Sequence, residues 1–390
     1  MPSTTATSVL IDTTDITKEL RKLELIKPKG GENDVGSYKS PFYTSRVLGE
    51  DGVLVLKPEE REGINYKEWE PVWNTADKFP PYEVFEHKDP GLKADANLSD
   101  LFPKDDANYK VEELTPKFGS EVKGIQLSEL TDAGKNDLAL FVAQRGVVVF
   151  REQDLADKGV EFNVEFGEYF GPLHIHQASG APRDHPEIHL VYRSSEISPN
   201  SSYLKKHISS VAWHSDVSFE KQPAATTFLA YLQGPTSGGD TIFVDAEEAY
   251  NRLSPQFQKI VEGLSAVHSS VEQAESSLKN GGILRRDPVK SIHPVVRKHP
   301  VTGKKALFVN PQFTREIVGL KAEESDALLN FLYTQLSVSV DLHARAKWAP
   351  GTVVVWDNRR TLHSAIFDWD SEERRHLYRL TPRGEVPSFE

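Results

Sequence analysis

Val211-Ala212-Trp213-His214-Ser215-Asp216-Val217-Ser218-Phe219 carries an imidazole and a carboxylate two residues apart. On an extended strand, residues i and i+2 project from one face, so His214 and Asp216 reach one ion together while Ser215 points away. Two side chains do not complete a metal site. The C-terminal run Trp356-Asp357-Asn358-Arg359-Arg360-Thr361-Leu362-His363 supplies a third candidate, His363. Taken alone, a His-x-Asp pair is also an ordinary surface pair or a buried hydrogen bond. It gains weight from the stretches that follow in order: Gly238-Gly239-Asp240-Thr241, then His363, then Arg374-Arg375-His376-Leu377-Tyr378-Arg379.

Working outward from this stretch, the pattern is one of many short strands with flanking helices. An apolar run, Val147-Val148-Val149-Phe150, suits a buried strand. Helices are expected over Asp132 to Gln144 and Lys158 to Tyr169, and over 245–253 with Asp245 capping. Further helices are expected over 255–263, with Pro255 at the start, and over 322–336. Strands are expected at 187–193, 225–232, 239–244, 292–297, 305–309, 339–345, 351–356, 361–366 and 375–381. The pattern predicts a mainly β fold with flanking helices, a double-sheet jelly roll. Residues 271–290 lack strong periodicity and contain Asn280-Gly281-Gly282, which suits either a mobile lid or an ordinary surface loop.

The first 105 residues read differently. Ser and Thr dominate the start, Ile16, Leu20 and Leu23 fit a short helix over Ile16 to Leu25, and Gly, Pro and Asn mark a loop from Lys27 to Ser45. Tyr66, Trp69, Trp73, Phe79, Tyr82 and Phe85 are more aromatics than a disordered tail carries. We read 1–105 as a partly ordered N-terminal extension lying on the main domain or on a neighbouring subunit, and 106–390 as the catalytic domain.

Composition narrows the function classes. The chain has 390 residues, 38% hydrophobic, enough for a sizeable core. A formal charge of −12 argues against a nucleic-acid or anionic-membrane surface. No cysteine is present, which excludes disulfides, thiolate ligands and a cysteine nucleophile. The N-terminus lacks the features of a secretory signal, and no apolar run approaches the ~18 residues of a membrane helix. A cytoplasmic location is the expectation.

His214, Asp216 and His363 together match the two-histidine, one-carboxylate triad of non-haem Fe(II) centres, which leaves three metal positions open. Zinc is the rival metal, but zinc hydrolases need a general-base carboxylate, commonly in His-Glu-x-x-His, and that motif is absent. His174-Ile175-His176 is a second i, i+2 histidine pair without a carboxylate nearby in sequence. His207, His293, His299, His343 and His376 are read as structural or exposed.

The chain resembles the taurine dioxygenase family of Fe(II)/2-oxoglutarate-dependent oxygenases, and within it the fungal sulfonate-dioxygenase branch. The resemblance runs through Gly146 to Arg151, Phe170-Gly171-Pro172-Leu173-His174-Ile175-His176, Trp213 to Asp216 and Gly238 to Thr241. It continues through His293 to Pro300, Leu307 to Asn310, Trp356 to Asn358 and Arg374 to Arg379. Residues before about 105 have no counterpart in it. The family fold is the double-stranded β-helix. The resemblance implies Fe(II), 2-oxoglutarate and O2 as metal and co-substrates, with Thr241 and Arg375 on 2-oxoglutarate and His176, Phe313 and Arg379 on the substrate. Charge counting agrees: Fe²⁺, one carboxylate and the 2-oxoglutarate dianion sum to −1, and the far carboxylate wants a bidentate cation. Arg379, four residues beyond Arg375, faces the same side if both lie on one strand.

The implied reaction hydroxylates an organosulfonate at the carbon beside sulfur and releases sulfite and an aldehyde, with succinate and CO2, for sulfur assimilation. A sulfate ester or carboxylate substrate is one alternative; a non-catalytic metal-binding jelly-roll protein is another. Family members are often dimers or tetramers, so a homo-oligomer is expected. Trp213 and Trp356 are placed either behind the ligands or in plain core. At the end of the site away from Arg379 the chain departs from the family: Ser179, Ser210 and Ala274 stand where larger or polar groups are usual. An enlarged pocket follows, accepting taurine without preferring it.

Overall fold

The computed structural model describes residues 46–105, 108–194, 209, 211–279, 282–369 and 373–390. The helix expected over Ile16 to Leu25, and Ser210, lie outside the described residues. Three short antiparallel strands, β1 (Arg46–Leu48), β2 (Val53–Leu56) and β3 (Trp73–Asn74), come first among the described residues. A seven-stranded sheet then forms in the order β4 (Lys110–Glu113), β5 (Ser120–Lys123), β6 (Val147–Phe150), β16 (Val353–Asp357), β8 (Thr226–Gln233), β18 (Arg375–Leu380) and β7 (His189–Arg193). Its pairs are antiparallel except β5 with β6. A second, antiparallel sheet has the order β15 (His343–Ala346), β9 (Thr241–Asp245) and β17 (Thr361–Ala365).

Strand alternation sorts the side chains into layers. Val147, Val149, Leu229, Val354, Trp356 and Leu377 from the large sheet share one buried cluster with Phe243, Ala344 and Ala346 from the small one. That cluster is the space between the sheets. Val148, Phe150, Phe228, Ala230, Val353, Val355, Tyr378 and Leu380 point the other way. They pack under α2 (Asp132–Arg145) and α3 (Val160–Glu168). β6 is buried on both faces, which is why it reads as an unbroken apolar run. Beyond the small sheet, Val244 and Leu362 pack with residues of α4 (Ala246–Asn251), α5 (Pro255–Glu262) and α7 (Ala322–Val338). Asp245 caps α4 as expected, its carboxylate accepting from the amides of Glu247 and Glu248.

Two smaller sheets complete the chain: β10 (Ser265–Ser269) between β11 (Lys290–Pro294) and β14 (Thr314–Ile317), and the pair β12 (Val296–Lys298) with β13 (Lys305–Leu307). The single strand expected at 292–297 is therefore two strands in different sheets, parted at Val295. The strand expected from residue 339 begins at His343, because Val340–Leu342 forms a 3₁₀ turn. In the stretch 271–290, read as lid or loop, the structure has a helix, α6 (Val271–Lys279). Its buried anchor is the lone Ala274, too little apolar periodicity for sequence to reveal.

The described residues before 106, from 46 on, contribute to the same core. Trp69 is fully buried, stacks on Tyr378 with ring centroids 3.9 Å apart, and donates its Nε1–H to the Ala156 carbonyl at 3.2 Å. Leu101 joins the same cluster. Further along, the buried Asp89 carboxylate meets Arg359 at 2.5 Å. Replacing Trp69 with Ala leaves a ring-sized cavity against β18, so Trp69→Ala is expected to cost about 3–5 kcal/mol. Chemical denaturation of the variant, followed by tyrosine and tryptophan fluorescence, measures it; a loss below ~1 kcal/mol would show that this stretch packs only loosely on the sheet.

Candidate active site

His214 and His363 face each other across a single antiparallel bridge. The His214 amide donates to the His363 carbonyl at 3.0 Å, and the His363 amide donates back to the His214 carbonyl at 2.8 Å. The backbone thus sets the ring centroids 4.2 Å apart. The His214 Nδ1–H donates to the Ala212 carbonyl at 2.9 Å, which leaves Nε2 with its lone pair toward the site. Burial holds both imidazoles below their ordinary pKa, His363 well below it, with His214 and Arg379 pushing in the same direction. Neutral imidazoles are the form that binds metal.

The strand expected through His214-Ser215-Asp216 is a one-residue bridge followed by a turn. Val217 takes a left-handed backbone, φ 45°, and the Glu220 amide closes the turn on the Val217 carbonyl. The Asp216 amide donates to Asn358 Oδ1 at 3.0 Å, and Trp356 Nε1–H donates to the same oxygen, also at 3.0 Å. Asn358 is anchored in turn to the Ala225 carbonyl and the Thr227 hydroxyl. Sequence reading quoted Asn358 in the Trp-Asp-Asn run without giving it this task. Trp356 also packs its ring 4.9 Å from that of His363. Trp213 turns outward into the core under the small sheet, 5.1 Å from His343.

Donor atoms of His214, Asp216 and His363 all lie within 4.8 Å of one another, the only such group of three found among the described residues. His214 Nε2 and His363 Nε2 stand 3.8 and 3.7 Å from Asp216 Oδ1. Asp216 Oδ2 and both ring nitrogens of His363 are buried without a hydrogen-bond partner in the chain. Such orphaned groups are costly unless a cation takes them. Two nitrogens and one carboxylate suit Fe(II).

β18 carries the arginines. Its pairing with β7 is regular from Arg375 to Arg379, so Arg375, Leu377 and Arg379 share the face that looks between the sheets. Arg379 Nη1 bonds Asp216 Oδ1 directly. Arg375 donates Nε–H to the Gly239 carbonyl at 3.2 Å. Burial, helped by the charge of Arg379, lowers it to about 10, still fully charged at neutral pH. Gly238 and Gly239 both hold positive φ, and a Cβ on Gly238 would come within 2.9 Å of Asp368 Oδ1, so this turn requires glycine. It delivers Thr241, buried, whose hydroxyl accepts from Trp348 Nε1–H at 3.3 Å.

A cavity of about 90 Å³ opens on the triad, lined in part by His174, His176, His214, Asp216, Phe313 and Arg379. The three substrate candidates His176, Phe313 and Arg379 therefore meet two of the metal candidates, His214 and Asp216, in one space; His363, Thr241 and Arg375 are not on its lining. A larger cleft of about 590 Å³ lies elsewhere, among ion-paired residues such as Arg360, Asp245 and Glu247, and holds none of these side chains. His176 Nδ1 accepts from the amides of Ala178 and Ser179 at 3.2 and 3.1 Å. Its proton must then sit on Nε2. Burial keeps the ring neutral, well below its ordinary pKa.

Sequence reading missed further lining groups, among them His189, Gln273 and Gln312, which no motif marks. His189 lies 4.3 Å from His176, ring to ring. The extra room expected at Ala274 is not there: Ala274 faces the interior with no exposure, and its neighbour Gln273 reaches the cavity. Ser179, expected at the same end of the pocket, is not on the cavity lining; its hydroxyl lies on His176 Nδ1 at 2.7 Å. His174 does have a carboxylate partner, contrary to the sequence reading: Glu220 Oε1 lies 2.9 Å from His174 Nε2, and Arg286 Nη1 lies 2.6 Å from the same oxygen. The pair is separated by 46 residues, so spacing could not reveal it. His293, His299 and His343 hydrogen-bond to Glu220, Asp357 and Leu336 and are structural, as expected. His376 is buried behind the sheet, and His207 lies outside the described residues.

The site thus defines a non-haem Fe(II) oxygenase on a sheet-rich scaffold. The family model described as "Taurine catabolism dioxygenase TauD, TfdA family" matches residues 110–381, and the chain belongs to that family, whose members use Fe(II), 2-oxoglutarate and O2. An alpha-ketoglutarate-dependent sulfonate dioxygenase of Saccharomyces cerevisiae is 45% identical over 393 residues, covering 99% of this chain and 94% of that protein. The segment before 110, outside the family match, thus has a counterpart there. A putative alpha-ketoglutarate-dependent sulfonate dioxygenase of Schizosaccharomyces pombe is 43% identical over 305 residues, 78% of this chain and 76% of its own. Among solved structures, a putative alpha-ketoglutarate-dependent taurine dioxygenase from Burkholderia xenovorans superposes with a TM-score of 0.59 at 31% identity, covering 72% of this chain and 94% of that one.

Glu220 offers a test of the cavity wall. Burial pushes its carboxyl up, but His174 and Arg286 outweigh that and bring it down from 4.5 to about 2. Its contribution to stability is therefore complete above pH 4.5 and is lost as pH falls toward 2. Glu220→Gln leaves Arg286 buried without its counter-charge and is expected to destabilise the protein by about 3 kcal/mol at pH 7. Urea denaturation at pH 7 and pH 3 checks this; the gap from wild type should narrow at the lower pH, and a gap that does not change with pH would remove the ion pair as its cause.

Proposed function

We propose that this enzyme hydroxylates a small organosulfonate at the carbon beside sulfur, releasing sulfite and an aldehyde, with succinate and CO2 from 2-oxoglutarate. The observation carrying this reading is the inward arginine pair of β18: Arg379 at the triad's carboxylate inside the cavity, and Arg375 one step deeper. We read the two facing sheets as a double-stranded β-helix jelly roll over 106–390, with 1–105 as its N-terminal extension. The sulfonate assignment of the two yeast relatives supports the substrate class.

His214, Asp216 and His363 would hold Fe(II), which with O2 and 2-oxoglutarate supplies the oxidising power for a C–H hydroxylation. The chain supplies orientation and charge. Metal, Asp216 and 2-oxoglutarate sum to −1; Arg375 and Arg379 raise this to +1, and a monoanionic substrate neutralises it. Arg375, buried beside the Gly238-Gly239 turn, takes the far carboxylate of 2-oxoglutarate in a bidentate pair, with the Thr241 hydroxyl beside it. Arg379 and the Nε2–H of His176 donate to the substrate's anionic head, and Phe313, 6.1 Å from the His214 ring, bounds its carbon. Among the described residues Asp216 is the only carboxylate on the cavity lining, so the general-base carboxylate common in zinc hydrolases is not placed there.

Incubation with Fe(II), 2-oxoglutarate and a panel of taurine, longer alkylsulfonates, a sulfate ester and a carboxylate tests the reading. Sulfite in equal amounts with succinate, from taurine and from other sulfonates, is the expected result; succinate with sulfate or a hydroxy acid instead would move the substrate class. Asp216→Ala should abolish turnover and Fe(II) binding while the circular-dichroism spectrum of the fold is kept. Arg375→Lys should raise the KM for 2-oxoglutarate steeply, on the order of tenfold or more, because an ammonium cannot reproduce the fork. Arg379→Ala should instead raise the substrate KM and spare that of 2-oxoglutarate. Equal effects of the two arginine variants on both KM values would dissolve the division of labour.

A further inference from the structure

The wall of the cavity opposite the iron ligands is made by His174 and His176, and both are immobilised from outside their own loop. The Ile175 amide, between them, donates to the Tyr82 hydroxyl at 2.5 Å. Tyr82 comes from the N-terminal segment, 93 residues away. Its ring lies 5.5 Å from that of His174, with the guanidinium carbons of Arg286 and Arg383 each 3.8 Å from its centroid. Arg286 is the residue that also bonds Glu220 and the His174 carbonyl neighbour, Ile175 O, at 3.4 Å. On the far side Arg285 Nη2 donates to the His176 carbonyl at 3.0 Å.

The segment that carries Tyr82 is fixed on both sides of it. Upstream, the Phe79 amide donates to the Arg285 carbonyl at 2.8 Å, and Lys78 Nζ donates to the Leu284 carbonyl at 2.5 Å. Downstream, Phe85 and Gln222 exchange two hydrogen bonds of 2.9 Å, amide to side-chain oxygen and side-chain amide to carbonyl. Tyr82 is therefore delivered to the His-Ile-His backbone by a strap held at residues 78–79 and 85. A surface-covering strap would need apolar contacts only. A hydroxyl on one backbone amide, beside two buried guanidiniums, fixes position and angle instead.

We infer that the N-terminal segment is part of the substrate site, and that Tyr82 is a positioning residue: its hydroxyl sets the register of His174 and His176 and thereby aims the His176 Nε2–H at the anionic head of the substrate. This rests on the reading of His176 given under the proposed function. Residues 78–85 then do more than stabilise. They supply a contact that the triad, Arg375 and Arg379 do not depend on, so substrate and co-substrate binding separate at this residue.

Tyr82→Phe removes the hydroxyl and leaves the ring between Arg286 and Arg383. On whichever anion of the panel the wild type turns over best, the KM should rise about three- to tenfold, the effect of one lost hydrogen bond. The KM for 2-oxoglutarate and the Fe(II) affinity should stay within twofold, and succinate formed without substrate oxidation should increase. His176→Ala combined with Tyr82→Phe should add little beyond His176→Ala alone. An unchanged substrate KM and coupling ratio in Tyr82→Phe, a parallel rise in both KM values, or full additivity in the double variant would each overturn the inference. The wild-type panel alone tests the sulfonate reading, whereas the variant-to-wild-type ratios test Tyr82 whatever anion is turned over.

Discussion

The reciprocal backbone hydrogen bonds between His214 and His363 are the constraint on which the site depends. They join a loop after residue 210 to β17, two parts of the chain about 150 residues apart, and they fix the rings before any ion is considered. The third donor, Asp216, is fixed by a different device: its amide rests on Asn358, which is anchored to Ala225 and Thr227. Asn358 sits between Trp356, whose ring lies on His363, and the buried Asp357–Arg359 pair. One short segment, 356–363, thus positions two of the three donors and contributes the third. Preorganisation of this kind would spare the three donors reorganisation on taking up a metal.

Electrostatics then separates the two ends of the cavity. Burial and the neighbouring Arg379 charge lower Arg375 to about 10, yet it remains cationic because guanidinium starts so high. Two like charges on one strand face are unfavourable in isolation. They are tolerable where Asp216 and Asp240 compensate in part, and more so where an anionic pair of substrates does the rest. At the other wall Glu220 is satisfied by His174 and Arg286, with Arg285 and Arg383 standing behind them. On the described cavity lining Arg379 is the only arginine or lysine, so an anionic head is drawn to the β18 side.

The N-terminal segment belongs energetically to the same body. Trp69 under β18, Asp89 on Arg359 and Tyr82 on Ile175 connect it to the sheet, to the 356–363 segment and to the cavity wall in turn. These three contacts touch the structures that hold the arginines, the ligands and His176, so loosening the segment disturbs function through more than one route.

By itself the sequence determined the chemistry that is local or periodic. His-x-Asp, the glycine pair before Thr241, and arginines four apart on a strand are readable because strand alternation and glycine's φ act over a few residues. The apolar run of β6 and the capped helices α2 and α4 are readable for the same reason. The resemblance through eight short motifs carried the cofactors and the placing of His176, Phe313 and Arg379. Only the tertiary structure decided what depends on long-range packing. It turned the strand at Asp216 into a bridge and a turn, because Asn358 reaches across to hold it. It made a helix of 271–279, anchored by Ala274, and brought Gln273 rather than Ala274 to the cavity. It paired Glu220 with His174 across 46 residues and Tyr82 with Ile175 across 93. Contacts of that separation leave no spacing rule in a single chain, since the fold alone sets which distant residues meet.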